Sequence, residues 1–326
     1  MRTVAVRAET WPLAKPFTIS RGTKTEAQVL VVEISEGAHV GVGECVPYPR
    51  YGETLSDVQS NIRNITAAIE SGMDRLGLWH LTVPGAARNA IDAALWDLQA
   101  KAEGGPVWQL AGVPEPMPAL TAQTISLGSA EDMASAAGEL ASAPLIKVKL
   151  DGEDVVRRMQ AVRDAAPQAR LIADANEAWD FGLLQDVAPA LAEMGIEMIE
   201  QPLPAGSDDG LAAYDPPVLL CADESCHTSD DLAVLKGKYG MVNIKLDKTG
   251  GLTEALNLAR GAEAAGFKMM IGCMVGTSLA MAPAMMLASY AEYVDLDGPL
   301  LLKNDREPGL VFENGIVQPP RRELWG

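Results

Sequence analysis

Beginning near Ala119, short runs of aliphatic and β-branched residues alternate with longer amphipathic stretches, eight times before Gly298. The runs are too short for helices, whereas the stretches carry the apolar period of one, so the repeating unit is strand, crossover helix, parallel strand. The predicted strands are Leu120–Ser126, Leu145–Lys149, Leu171–Asp174, Glu197–Glu200, Val218–Cys221, Met241–Lys245, Lys268–Gly272 and Tyr293–Asp295. Eight consecutive parallel strands favour closure into a barrel, whose C-terminal strand ends open into one shared mouth. An open doubly wound sheet is the alternative. It lacks support, because no strand-borne glycine fingerprint for a dinucleotide is present and Gly41-Val42-Gly43 is too short to count.

The first hundred residues have a different rhythm. Thr3–Glu9 and Ala27–Ile34 read as strands, the second followed by a turn over residues 35–38 and a hairpin partner at His39–Glu44. Thr54 with Asp57 resembles a capping box opening an amphipathic helix to Glu70, and Pro84–Ala102 has proline near its start and Gly104-Gly105 past its end. After Gly298 the pattern is aperiodic, and this tail is expected to pack back on the N-terminal region. The predicted fold is α/β: a TIM-like (β/α)7β barrel over residues 113–299, with an α+β capping domain over 1–112 completed by 300–326.

A chain of 326 residues with 48% hydrophobic content can fill such a barrel and one further unit. Its formal charge of −18 repels phosphate backbones and anionic membrane, so nucleic acid and membrane are not expected partners. The four cysteines show only one close spacing, Cys221 to Cys226, and neither a signal-peptide core nor a membrane-length apolar run is evident. Reduced thiols and a cytoplasmic location are expected, and a homo-oligomer is left open.

Polar residues at the strand ends carry the chemistry. They are Lys147 and Lys149, Asp174 with Asn176, Glu200, Asp223-Glu224, Lys245, and Asp295 with Asp297. From Lys149 through Asp174, Glu200 and Asp223 to Lys245 the spacings are 25, 26, 23 and 22 residues, one βα unit each. A single acidic residue at a strand end is often a helix cap. Three in succession repel one another unless a cation lies between them, and an all-oxygen set suits Mg²⁺ before Zn²⁺. Strand alternation puts Lys147 and Lys149 on one face and Ile146 and Val148 on the other. Lys149 and Lys245 lie on the strands before and after the carboxylates, so they flank the ion and face each other across a bound carboxylate substrate. One amine can take an α-proton and the other return it on the opposite face, inverting the centre, while the metal stabilises the enediolate. Such a base needs its pKa lowered by about three units, roughly 4 kcal/mol, and Lys147 is placed to supply like-charge repulsion. Lys248 beside Asp247 reads as a loop ion pair, Asn176 as a partner of a lysine or a metal-bound water, and His227 as part of a helix cap.

The motifs KVK (147–149), DAN (174–176), EQP (200–202), ADES (222–225) and IKLDKTGG (244–251) together resemble the enolase superfamily, in its muconate-lactonizing-enzyme subgroup. The resemblance spans nearly the whole chain, including PFTISRGTKTEA (16–27) and CVPYPRYGET (45–54), which look like capping loops over the barrel. Within the subgroup it is nearest to the dipeptide epimerases. It implies that Asp174, Glu200 and Asp223 bind Mg²⁺ and that Lys149 and Lys245 are the acid/base pair. It further implies that Asp295 and Asp297 hold a dipeptide ammonium, that Arg21 or Lys24 binds a side-chain carboxylate, and that Thr124, Cys273 and Met274 line the substrate backbone. The activity so implied is epimerisation of the C-terminal residue of L-Ala-D/L-Glu, in recycling of peptidoglycan peptides. Two alternatives stay open: a cycloisomerase or o-succinylbenzoate synthase of the same subgroup, and a carboxylate-binding barrel without activity, which needs only one of the two lysines.

Overall fold

The computed structural model describes residues 2–326. A long antiparallel hairpin, β1 (Arg2–Ile19) and β2 (Gly22–Glu36), is continued by β3 (His39–Cys45). Val29, Leu30, Val31, Val32 and Ile34 of β2 are all buried, because both faces of this sheet are covered. Leu30, Val32 and Ile34 pack under the helices α1 (Leu55–Glu70) and α3 (Ala86–Glu103), with α2 (Arg75–Leu81) beside them, whereas Val31 joins the core of the barrel. The Gly41-Val42-Gly43 triplet has a packing explanation. A Cβ on Gly41 would stand 2.1 Å from Ala94 O, and one on Gly43 2.1 Å from Ala90 O, so α3 lies directly on the strand backbone.

The second region begins with β4 (Ala119–Leu120) and continues through β5 (Gln123–Ile125), β6 (Leu145–Lys149), β7 (Arg170–Asp174), β8 (Ile196–Glu200), β9 (Leu219–Ala222), β10 (Met241–Ile244), β11 (Lys268–Gly272) and β12 (Tyr293–Asp295). Strands β5 to β12 form one eight-stranded parallel sheet in sequence order. It closes on itself where Thr121 bridges Val294 and Ala122 N donates to Val294 O at 2.8 Å. The fold is therefore a parallel barrel with an N-terminal cap. One boundary differs from the sequence reading: the single run Leu120–Ser126 is split. Leu120 pairs antiparallel with Ile316 in a terminal hairpin of β13 (Phe312–Glu313) and β14 (Ile316–Val317), leaving Thr121 and Ala122 to close the barrel on Val294 and Gln123–Ile125 to pair with β6.

Alternation along the strands sorts their side chains into two environments. Ile146, Val148, Leu171 and Ala173 face the surrounding helices in the main apolar cluster. Ala122, Leu145, Ile172, Met198, Cys221, Met241, Met270 and Tyr293 fill the lower barrel interior as a separate cluster. Beyond the barrel, the tail crosses the N-terminal region: Lys303 N donates to Pro12 O at 2.8 Å, the Trp325 indole to Ala93 O at 3.0 Å, and Gly326 N to Asp97 Oδ1 at 2.8 Å. Among the described residues no helix is long and apolar enough to cross a membrane.

Candidate active site

Above the apolar layer, the next inward positions are charged. Lys147 Nζ stands 2.6 Å from Glu200 Oε2, 2.8 Å from Asp295 Oδ2 and 3.2 Å from Asp174 Oδ2. Lys149 Nζ reaches Asp174 Oδ2 at 2.5 Å, and Lys245 Nζ lies 2.6 Å from Asp223 Oδ2 and 3.8 Å from Glu200 Oε1. The amide of Asn243 donates to Glu200 Oε1 at 2.8 Å. The charged residues singled out at the strand ends thus gather at one mouth, with Lys149 and Lys245 engaged on opposite members of the carboxylate row.

The electrostatics of the row differ from the sequence expectation. Burial works to lower the Lys245 pKa, yet the charges of Asp223 and Glu200 outweigh it and hold it well above the ordinary lysine value. Lys147 behaves likewise: burial opposes its charge, and Asp295, Glu200 and Asp174 hold it well up. For Lys147 and Lys245 the shift is thus upward, because four buried carboxylates, Asp174, Glu200, Asp223 and Asp295, stand against them. Lys147 is accordingly a bridge between three carboxylates more than a repulsive neighbour of Lys149. Burial and the Asp174 charge raise Glu200 to about 7, whereas Asp174 and Asp223, although equally buried, are held below the usual carboxylate range by their lysines.

Lys248 corrects another reading. It does not pair with Asp247; completely buried, it donates to Asp223 O (2.5 Å), Asp223 Oδ1 (2.7 Å) and Asn243 O (2.8 Å). Asp247 instead accepts from Val46 N at 3.1 Å and the Asn89 amide at 2.8 Å, tying the barrel to the cap. Asn176 likewise contacts neither lysine: its backbone N–H supports Asp174 Oδ1 at 2.9 Å, and its side chain reaches Glu224 Oε1 at 3.4 Å. His227 immediately precedes the helix cap Thr228, its N–H on Asp231 Oδ2 and its ring against Tyr51.

Among the described residues no three acidic, His or Cys side chains form a ready ligand shell. Lysine nitrogens instead link the carboxylates pairwise, Lys147 between Asp174 and Glu200 and Lys245 between Glu200 and Asp223. The row therefore already demands positive charge between its members, and the Lys147 ammonium is what stands against the buried Glu200 Oε2. An oxygen-only donor set of this kind fits a hard divalent cation.

A cavity of about 460 Å³ opens over these groups, walled by Lys149, Lys245, Thr124, Asp295 and Asp297 from the barrel and by Arg21, Lys24 and Tyr48 from the cap. Asp297 Oδ2 accepts from Thr124 N at 2.7 Å, and burial together with the Asp295 charge raises its pKa to about 7. Asp295 gives one oxygen to Lys147, and its other oxygen is buried and unpartnered. Cys273 and Met274 line the same wall, Met274 packing as well on Val29 and Val46 of the cap. The two cap cations differ sharply. Arg21 is fully engaged, with Glu224 Oε1 at 2.8 Å, Asn176 O at 2.9 Å and Glu177 Oε2 at 3.2 Å. Lys24 sits 4.7 Å over the Tyr48 ring and has no acidic partner among the described residues. Glu177, Tyr48 and Arg50 were not singled out from the sequence; their only signal there is membership of the DANE and CVPYPRYGET segments.

Residues 1–112 match the family of the mandelate racemase / muconate lactonizing enzyme N-terminal domain, and residues 129–323 match the enolase C-terminal domain-like family. An L-Ala-D/L-Glu epimerase of Escherichia coli strain K12 is 49% identical over 317 residues, 97% of this chain and 99% of the relative. An N-acetyl-D-glutamate racemase of a Pseudoalteromonas species is 46% identical over 300 residues, 91% of this chain and 95% of the relative. An enolase family member from Agrobacterium tumefaciens with homology to dipeptide epimerases, solved with sodium and L-Ala-L-Glu, superposes with a TM-score of 0.98 at 50% identity over 100% of both chains. A dipeptide epimerase from Methylococcus capsulatus, solved with Mg and L-Arg-D-Lys, superposes with a TM-score of 0.90 at 32% identity over 99% of this chain and 98% of the other. Sequence, fold and the barrel mouth agree, and the chain belongs to the mandelate racemase / muconate lactonizing enzyme family of the enolase superfamily.

Proposed function

We propose that the protein is a Mg²⁺-dependent dipeptide epimerase that inverts the C-terminal residue of L-Ala-D/L-Glu, in the cytoplasm, as part of peptidoglycan peptide recycling. The single observation that carries this reading is the placement of Lys149 and Lys245 on opposite ends of the Asp174–Glu200–Asp223 row. In this reading the cap, 1–112 completed by 300–326, closes over a barrel of residues 113–299.

Asp174, Glu200 and Asp223 would hold Mg²⁺. The chemistry supplied by the ion when bound is neutralisation of the negative charge that grows on the substrate carboxylate as the α-proton leaves. Asp174 and Asp223, once engaged with a cation, would release Lys149 and Lys245 from the contacts they now make. Each lysine then lies on one face of the α-carbon; the neutral one accepts the proton and the charged one delivers another from the opposite side. Lys147 stays charged between Asp295 and the row. The substrate ammonium would sit on Asp295 and Asp297, where a buried, partly unpartnered acid pair wants a cation. Of the two cap cations, Lys24 is the one left to receive a glutamyl side-chain carboxylate, since Arg21 is taken by Glu224 and Glu177.

Proton NMR in D₂O with Mg²⁺ tests the reading, comparing L-Ala-L-Glu, L-Ala-L-Phe, L-Ala-L-Lys and N-acetyl-L-glutamate. Exchange of the α-proton with inversion, fastest for L-Ala-L-Glu and dependent on Mg²⁺, is the expected result. Fastest turnover of N-acetyl-L-glutamate would remove the ammonium role of Asp295 and Asp297. Inert dipeptides with turnover of muconate or a cyclohexadiene carboxylate would make the protein a cycloisomerase or o-succinylbenzoate synthase instead.

A further inference from the structure

The loop after β7 takes two successive residues into the left-handed region, Asn176 at φ 44° and Glu177 at φ 68°. Neither is glycine, so the surroundings must hold the turn. Glu177 N donates to Gln201 O at 2.8 Å and supplies that hold. The turn splits the loop between two tasks. Inward, the Asn176 N–H reaches Asp174 Oδ1; outward, the Asn176 carbonyl accepts from Ser20 Oγ at 3.1 Å and Arg21 Nη1 at 2.9 Å.

The Glu177 carboxylate collects more. It accepts both arms of the Arg50 guanidinium at 2.6 Å, Arg21 Nη1 at 3.2 Å, and Ala205 N at 2.9 Å. Arg21 lies at the turn between β1 and β2, and Arg50 in the segment after β3, so one barrel carboxylate fastens two separate cap segments. Glu177 is absent from the cavity wall, whereas Arg21, Lys24 and Arg50 belong to it. Lys24 follows Arg21 by three residues, in the first residues of β2, where it pairs with Phe17.

We infer that Glu177 is a positioning residue for substrate specificity: it fastens both cap segments to the barrel rim and thereby sets the place of Lys24 over the cavity. The inference rests on the proposed role of Lys24 as the contact for a glutamyl carboxylate. Without the charged fork on Arg50 and Arg21, fewer molecules hold Lys24 in place, and the apparent affinity for a glutamyl dipeptide falls by that fraction. Proton transfer in the molecules that do close is unaffected.

Glu177→Gln keeps the volume and an acceptor for Ala205 N while removing the charge. For L-Ala-L-Glu the expected result is a KM raised about tenfold with kcat within about twofold of wild type. With L-Ala-L-Phe, which offers no side-chain carboxylate, KM changes by less than about twofold. Limited trypsin digestion of the full chain without substrate, followed by mass spectrometry, reads the release of Arg21 directly. Cutting at Arg21–Gly22 should be about tenfold faster in the variant. Arg50→Gln, a change at a partly exposed side chain that leaves Arg21 on Glu177, should show the same signs at smaller size and covers the case in which Glu177→Gln does not fold. Unchanged KM and unchanged cutting in the folded variants would overturn the inference, as would an equal rise in KM for both dipeptides. If wild type turns over no dipeptide, the proposed function fails, and the cutting rate alone decides whether Glu177 fastens the cap.

Discussion

The lower and upper halves of the barrel interior are built on the same strands and could hardly differ more. A single residue separates Leu145 from Lys147, Ile172 from Asp174, Met198 from Glu200, Cys221 from Asp223, and Tyr293 from Asp295. The first of each pair belongs to an apolar cluster, and the second to a network of buried charges. Strand alternation explains why both point inward. What divides them is height: the lower layer is sealed, while the upper one faces the cavity, where a bound cation and substrate can satisfy charges that the protein alone satisfies with lysines. Burying ions in this way costs stability that the apolar layer beneath supplies. The half that stabilises is therefore the precondition of the half that reacts.

Lys248 strains that division most. It lies in the upper half, yet every one of its contacts is internal. Lys248→Met should cost about 3–5 kcal/mol in urea unfolding, because Asp223 and two carbonyls lose a buried donor at once. A cost below about 1 kcal/mol would show that solvent reaches the amine. In the lower half, Met198→Ala should cost about 2–5 kcal/mol by the same assay, with kcat near wild type. Were kcat to fall sharply, the two layers would not be separable.

Smaller effects sharpen the chemistry of the upper half. Lys24→Met should raise KM for L-Ala-L-Glu by about 10- to 100-fold, matching the roughly 1.5–3 kcal/mol of a charged hydrogen bond. It should leave L-Ala-L-Phe within about twofold, as steady-state kinetics on both dipeptides can check. The pH dependence of KM is the mildest effect. Burial and Asp295 raise Asp297 to about 7, so its carboxylate is formed, and attracts an ammonium, as pH rises through that value. KM should fall from pH 6 toward pH 8, until the substrate amine itself loses its proton near ~8. Asp297→Asn should flatten this slope. The raised value also means that Asp297 favours the folded protein below its unfolded pKa near ~4 and loses that contribution as pH climbs through about 7.

Much of this arrangement was legible in the sequence because it depends on spacing along the chain. A charged residue every βα unit on eight regular strands puts Lys149, Asp174, Glu200, Asp223 and Lys245 into one mouth, whatever the loops do. Partner choice was not legible. Asp247 and Lys248 are adjacent in sequence but lie in a short helical turn that sends one to the cap and the other to Asp223. Left-handed Glu177 carries no glycine to betray it. The first strand read as one run because alternation alone cannot tell that Leu120 is claimed by the terminal hairpin. The direction of the lysine pKa shifts depends on how many carboxylates converge, a count only the closed barrel supplies.

The central claim, one amine on each face of a single α-carbon, is tested most directly by Lys149→Ala and Lys245→Ala in D₂O with Mg²⁺. L-Ala-L-Glu and L-Ala-D-Glu are supplied separately, and both α-proton exchange and inversion are followed. Neither variant should invert either epimer, a loss of about 10²–10⁴-fold or more. Any exchange that survives should be confined to one epimer, the opposite one in the two variants, because each remaining lysine sees only the proton on its own side. Inversion retained by either variant, or survival of exchange with the same epimer in both, would contradict the account.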